Sequence, residues 1–185
     1  MNIVEREAAF RARWRSRALR GDECGATNFA ASYRLVGNHR AAFQWFRRAA
    51  ALGSGDDFLD VGYAYQLGLG VRRNVVQAER AYRAAIASRF ITPYGREEAQ
   101  YFLATVLLAA RPKRATSEAR RALQRAASDQ DYPQAEQLLE LVKAGSLEKI
   151  CLCRRRLLWR IARLGCPLHK PKRRHSPPSA VAGAG

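Results

Sequence analysis

The chain has 185 residues, of which 48% are hydrophobic and 26% charged. That is enough for one domain with its own core, and it excludes a disordered or collagen-like chain as a whole. The 33 Lys and Arg outnumber the 16 Asp and Glu, a formal charge of +17 that favours an anionic partner such as nucleic acid, anionic lipid or an acidic protein.

In chain order, the opening MNIVEREAAFRARWRSR is charged throughout and lacks the apolar run of a secretory leader. No stretch approaches the ~18 consecutive apolar residues of a spanning helix. A cytoplasmic protein without a membrane span is therefore expected, with its thiols reduced. The Ala and Arg bias also matches the codon usage of a GC-rich bacterial genome. Ala and Arg recur at helical spacing almost from end to end, Pro is absent from 1 to 92, and no alternation reads as a strand. The pattern predicts nine helices: 3–20, 25–36, 39–52, 56–67, 75–88, 96–110, 116–128, 133–143 and 147–164. Gly21, Gly37, Gly53, Gly68, Gly70, Gly95 and Gly145 punctuate them. Asn38, Ser54, Asn74, and Thr92 or Ser117 are the candidate N-caps.

Three of these helices share one pattern. AFQWFRRAA begins at Ala42, AERAYRAAI at Ala78 and ARRALQRAA at Ala119, with successive starts 36 and 41 residues apart. Each has Ala at the first place, a large residue at the fifth (Phe46, Tyr82, Leu123) and Ala at the eighth (Ala49, Ala85, Ala126). The extra residues of the longer spacing fit an insertion around ITPYG. A two-helix repeat of this length predicts an all-α fold, an α-solenoid of about three helix pairs. One pair cannot bury both of its apolar sides, so pairs stack. The small Ala residues let helices approach, and the large fifth residue fills the gap.

The helix ahead of the second repeat reads FLDVGYAYQLGLGV from Phe58 to Val71. Tyr65-x-x-Gly68-x-Gly70-Val71 followed by Ala78, with Ala42-x-x-Trp45-Phe46-x-x-Ala49-Ala50-x-x-Gly53 before it, resembles the Sel-one-like repeat family, relatives of the tetratricopeptide repeats. The likeness covers roughly 25–143 and is strongest over 39–88. At 26–38 the longer Gly turn is absent, and at 96–128 the turn reads ARPKRATS without glycines. The resemblance implies a right-handed superhelix with a concave face that binds other proteins or peptides. The chain then divides into an N-terminal helix (1–24), the repeats (25–145), a C-terminal cap (146–170) and a disordered basic tail (171–185).

Nothing reads as an enzyme. There is no G-x-S-x-G, P-loop or H-E-x-x-H, and Gly68-Leu69-Gly70 is a repeat turn without the strand and third glycine of a phosphate loop. His39 stands at a helix start as a surface residue. Asp56, Asp57 and Asp60 gather near a helix N-terminus, where the macrodipole favours carboxylates; the alternative is an acidic spot for a basic residue of a partner. In helical repeats the first helix of each pair lines the concave face, which makes Arg34, Tyr63, Gln66 and Gln100 the candidate partner-binding residues.

Three of the four cysteines fall within CLCRRRLLWRIARLGCPLH, from Cys151 to His169. Cys151-x-Cys153 and Cys166-x-x-His169 together make a complete Cys₃His set for a structural Zn²⁺. Leu157, Leu158, Ile161 and Leu164 form an apolar stripe between them. A straight helix over that spacer would separate the pairs by ~16 Å, so the site requires the helix to end early. Buried or free thiols, a redox pair and another metal are the other readings. From Lys149 to Arg174 there are ten Lys or Arg and no acidic residue. This stretch is a solvated basic tail, a contact for nucleic acid, or a contact for a membrane surface or acidic protein.

The expectation is a non-enzymatic adaptor or scaffold that binds another protein, with a zinc-stapled C-terminal cap. The alternatives are a nucleic-acid-associated protein using 149–174 and the Arg-rich first helix, or an immunity or regulatory protein that neutralises a toxin or enzyme.

Overall fold

The computed structural model describes residues 3–110, 116–128 and 132–145, with side chains from residue 9 onward. They form eight α-helices and no strand among the described residues: α1 (Ile3–Leu19), α2 (Glu23–Leu35), α3 (His39–Ala51), α4 (Gly55–Leu67), α5 (Val75–Ala87), α6 (Pro93–Ala110), α7 (Thr116–Ala126) and α8 (Pro133–Lys143). Each helix packs on the next in the chain, and α4 also packs on α6. The architecture is an all-helical, solenoid-like stack of helix–turn–helix units.

Local chemistry sets the boundaries. The side chains of Asn38, Ser54 and Asn74 accept the backbone N–H of Ala41, Asp57 and Gln77, as N-caps should. Thr92 does the same for Gly95 at 3.0 Å. α6 therefore starts at Pro93, three residues earlier than its periodicity predicts, because proline is well suited to the first helical position. Ser117 lies inside α7 and is not its cap. Gly95 likewise is not a turn; it lies within α6. The expected ninth helix over 147–164 lies outside the described residues, as do the cap and the tail.

The repeat positions are the core. Ala42, Phe46, Ala49, Ala78, Tyr82, Ala85, Ala119, Leu123 and Ala126 are all buried. Tyr82 and Leu123 belong to the largest cluster, together with Phe102, Val106 and Leu107 of α6 and Leu138 and Val142 of α8. Burying a large side chain of this kind is worth about 1.5–3 kcal/mol. Repeats also meet through backbone: Gly70, in the left-handed region at φ 71°, approaches His39 so closely that a Cβ would stand 2.1 Å from its carbonyl oxygen. This explains the second glycine of the Gly68-Leu69-Gly70 turn, which both reverses the chain and lets the turn rest on the start of α3.

α6 is apolar all round. Every residue from Ala99 to Leu108 is buried, Gln100 and Thr105 included, as expected of a central helix rather than a one-sided surface helix.

Candidate functional site

α4 and α6 lie side by side in a fixed register. Asp56 accepts hydrogen bonds from the Thr92 hydroxyl at 2.9 Å and from the Thr92 backbone N–H. Gly95 leaves the room for this, since a Cβ there would stand 2.0 Å from the Asp56 Oδ1. Two turns on, Tyr63 meets the Phe102 ring edge-on at 5.4 Å. At the far end the Gln66 Nε2 donates to the Thr105 hydroxyl at 3.3 Å. Asp56–Gly95, Tyr63–Phe102 and Gln66–Thr105 are each 39 residues apart. A constant offset of one sign means that the two helices run parallel, one repeat apart.

The same register sets Asp60 of α4 opposite Ala99 and so beside Glu98 of α6, on which its charge acts. Asp60 receives the Arg34 guanidinium from α2 at 2.6 Å, and its side chain is 25% exposed. Arg34 also lies over the Phe46 ring, 5.1 Å from its centre. Burial nevertheless dominates and pushes Asp60 up to about 6, against the pull of Arg34. Burial raises Glu98 to about 7, and Asp60 and Asp56 add to this while Arg34 opposes it. Glu98 has no hydrogen-bond or ion-pair partner among the described residues. Asp57, fully buried one turn before Asp60, is also raised to about 6 by burial, against hydrogen bonds from Ser54 and Thr27. Its Oδ2 accepts the Thr27 hydroxyl of α2, while its Oδ1 has no partner among the described residues.

Tyrosines complete the site. Tyr132, at the entrance to α8, has ring centres 5.1 Å from Tyr101 and 6.1 Å from Tyr94. Burial holds the Tyr132 hydroxyl well above its ordinary range, and Glu98, Tyr101, Tyr94 and Tyr63 each raise it further. Tyr101 is raised by burial and Tyr94 by burial and then by Glu98 and Glu97. These hydroxyls stay protonated at neutral pH, and with Tyr101 and Tyr132 buried, Tyr94 is the ring that the site presents to solvent. Tyr94 is 57% exposed and stands at the open edge.

Helix geometry gives the direction of this face. Ala99 packs with Ala85 of α5, and at 100° per residue Tyr101 and Leu108 lie on the opposite side of α6. Both are buried there in the largest core cluster, together with Tyr132 and Leu138 of the α8 segment. A cation beside Asp60 and Glu98 meets negative charge and the Tyr94 ring, the ring being worth about 0.5–2 kcal/mol. Among the described residues no group of three His, Cys, Asp or Glu side chains is arranged to hold a metal ion.

Of the residues singled out from sequence, Arg34 and Tyr63 stand on this face, on either side of Asp60. Gln66 and Gln100 do not serve as open anchors, being only 3% and 8% exposed. Gln66 accepts the Tyr82 hydroxyl and donates to Thr105, tying three helices together internally. Gln100 is buried with its Oε1 unpartnered among the described residues. Cys151, Cys153, Cys166 and His169 lie outside the described residues. Sequence reasoning raised Asp60 as an acidic spot but missed Glu98, Tyr94 and Tyr132; Tyr101, at a repeat position, is core. The available signal was the repeat offset: one repeat on from Asp60 falls beside Glu98.

The chain matches no family model, and no curated protein or solved structure is significantly similar to it.

Proposed function

We propose that the protein is a non-enzymatic helical-repeat protein that binds another protein, and that it does so on the acid–tyrosine face of α4, α6 and the start of α8. The observation that carries this reading is the grouping of the half-buried Asp60 and Glu98 near the exposed Tyr94, over the buried rings of Tyr101 and Tyr132, on a chain whose formal charge is +17. Carboxylates beside one exposed ring on a positive protein favour a Lys or Arg side chain presented by a peptide, most strongly above pH 7, where Glu98 is ionised. No nucleophile is bonded to Asp60 or Glu98 among the described residues, so the face offers charge and shape rather than covalent chemistry. The likeness of 39–88 to the Sel-one-like repeat, a family of interaction proteins, supports the same reading.

The test uses the full chain, a fluorescein-labelled oligoarginine peptide and an oligoglutamate peptide of equal length. Anisotropy should report salt-sensitive binding of the first alone. An Asp60→Asn/Glu98→Gln variant should bind it at least ten-fold more weakly. Equal binding of both peptides, or a variant indistinguishable from the parent, removes the reading.

The second reading, nucleic-acid association through 149–174 and α1, has an observation of its own. The Arg13 and Arg17 guanidinium groups lie over the Trp14 ring at 5.5 and 5.1 Å, a basic aromatic face on the Arg-rich first helix. A salt-dependent shift of random DNA or RNA would favour it, and absence of binding at low salt would remove it. No residue favours the immunity or regulatory alternative. A structural Zn²⁺ on Cys151, Cys153, Cys166 and His169 stays part of the proposal, because the donor set is chemically complete.

A further inference from the structure

We propose that the outward face of the second helices, α3, α5 and α7, binds the phosphate backbone of duplex nucleic acid. This surface differs from the peptide face proposed above, and from α1 and 149–174. The two layers of the stack carry opposite charge. α3, α5 and α7 hold eight Arg and two acidic residues, whereas α2, α4 and α6 hold two Arg and six acidic residues. An arginine surplus set by codon usage alone would not sort itself by layer.

The repeat register aims these arginines. The first, fifth and eighth places of each repeat are buried, and at 100° per residue the third, sixth and seventh places then point away from the core. In every repeat two of those three places are Arg: Arg47 and Arg48, Arg80 and Arg83, Arg121 and Arg125. All six are exposed, and the remaining places hold Gln or Ala. Arg83 takes up both carboxylates of the three helices, Glu79 at 3.1 Å and Glu118 at 2.7 Å, the second bond tying α5 to α7. The other five arginines are in no ion pair among the described residues. Phe43 and Phe46 of α3 share a buried cluster with Ala81 of α5, so the arginines form one band, in rows about 10 Å apart.

The rest of the face chooses among anionic partners. Among the described residues Val76 is the one large hydrophobic exposed on these three helices, which leaves little to insert into a lipid surface. Phe43, Phe46 and Tyr82 are buried, and Trp45 is half-buried with the Arg48 guanidinium over its ring at 5.1 Å. The face therefore has no open platform on which unpaired bases could stack. What it offers is guanidinium groups in rows, matched to a duplex that carries one charge per ~1.7 Å of its axis. Such binding is independent of base sequence.

The experiment follows the anisotropy of a short fluorescein-labelled DNA duplex of random sequence with the full chain across a KCl series. The face variant is Arg47→Gln/Arg80→Gln/Arg121→Gln. A tail variant, Arg154→Gln/Arg155→Gln/Arg156→Gln, removes the same charge elsewhere. Circular dichroism checks that all three proteins are equally helical. The inference expects the face variant to bind at least about ten-fold more weakly than either other protein at about 0.1 M salt, with a slope of log K against log salt smaller by about 2–3. A loss as large or larger in the tail variant overturns it, since binding then follows net charge or 149–174. A face variant equal to the parent overturns it too; if that variant alone loses binding to phosphatidylserine vesicles, the face is a lipid surface instead. Absence of duplex binding by the parent at low salt also overturns it. The peptide reading, tested with oligoarginine, stands or falls separately.

Discussion

Gly62 lies flat against the ring of Tyr82: a Cβ at Gly62 would stand 2.6 Å from the Tyr82 Cε1. The two residues belong to the paired helices of one repeat, and their contact fixes how closely α4 and α5 approach. Tyr82 cannot step aside, because it is fully buried and its far side stacks on Phe102 at 5.7 Å.

Gly62→Ala pits two effects against each other. Helix propensity alone favours Ala by about 1 kcal/mol. Overpacking a rigid ring costs about 1–3 kcal/mol. The net expectation is a loss of up to about 2 kcal/mol, read as a lower urea midpoint with an unchanged slope. A stabilised variant would show that the ring has room to move.

Tyr82→Phe keeps the ring and removes the hydroxyl that donates to the Gln66 Oε1. The amide oxygen is then buried without its donor, at a cost of about 1–3 kcal/mol. Adding Gln66→Leu to Tyr82→Phe should recover part of that loss, since the orphaned oxygen goes with it. A double variant as unstable as the sum of the two singles would show that the pair is not coupled.

The raised carboxyls make stability depend on pH with a definite sign. Burial lifts Asp57 and Asp60 to about 6 and Glu98 to about 7, above their unfolded values. Between the unfolded and folded values the folded state binds more protons than the unfolded one. These groups therefore lower stability as pH rises from about 4 to about 7, and the loss then levels off. Glu98→Gln should raise stability at pH 7.5 by on the order of 1–2 kcal/mol, after allowance for its partial exposure to solvent, and make little difference at pH 4. Denaturation midpoints of parent and variant at the two pH values check this; a variant equally stabilised at both would contradict it.

Arg34 neutralises one of the carboxylates that a visiting cation needs. Arg34→Ala should therefore strengthen oligoarginine binding at pH 8 by about three-fold, the worth of a half-exposed charge at ~0.2–1 kcal/mol. Weaker binding would mean that Arg34 itself grips the ligand.

Protein purified under reducing conditions should carry about one Zn²⁺ per chain, and Cys151→Ser should lower that content. Elemental analysis decides the point. Metal well below stoichiometry in the parent, or unchanged in the variant, would remove zinc from the account.

The core was legible because one helix repeats its own packing problem. Ala42, Phe46 and Ala49 recur as Ala78, Tyr82 and Ala85 and as Ala119, Leu123 and Ala126, and the same spacing meets the same neighbour each time. Caps such as Asn38 and Ser54 were legible for a similar reason, since donor and acceptor lie three residues apart. The candidate site was only half legible. Asp60 read as one of several carboxylates at a helix start, and nothing in the local sequence marked Glu98. They become a unit only when two helices one repeat apart are laid in register, which no short window of sequence contains. Gln66 and Gln100 misled for the same reason: a first helix in a stack has neighbours on both flanks, and a polar residue at helical spacing serves a buried hydrogen bond as readily as an open groove.

The 39-residue register between α4 and α6 gives their seam a direction. Along it the facing pairs change from Asp56 with Thr92 at the start of α6, through Asp60 beside Glu98, to Tyr63 on Phe102 and Gln66 with Thr105. The contacts run from charged and partly exposed to aromatic and amide, with Phe102, Gln66 and Thr105 buried. A slip of one helix along the other would set carboxylates against rings, so the stacking of one repeat on the next is keyed to a single register.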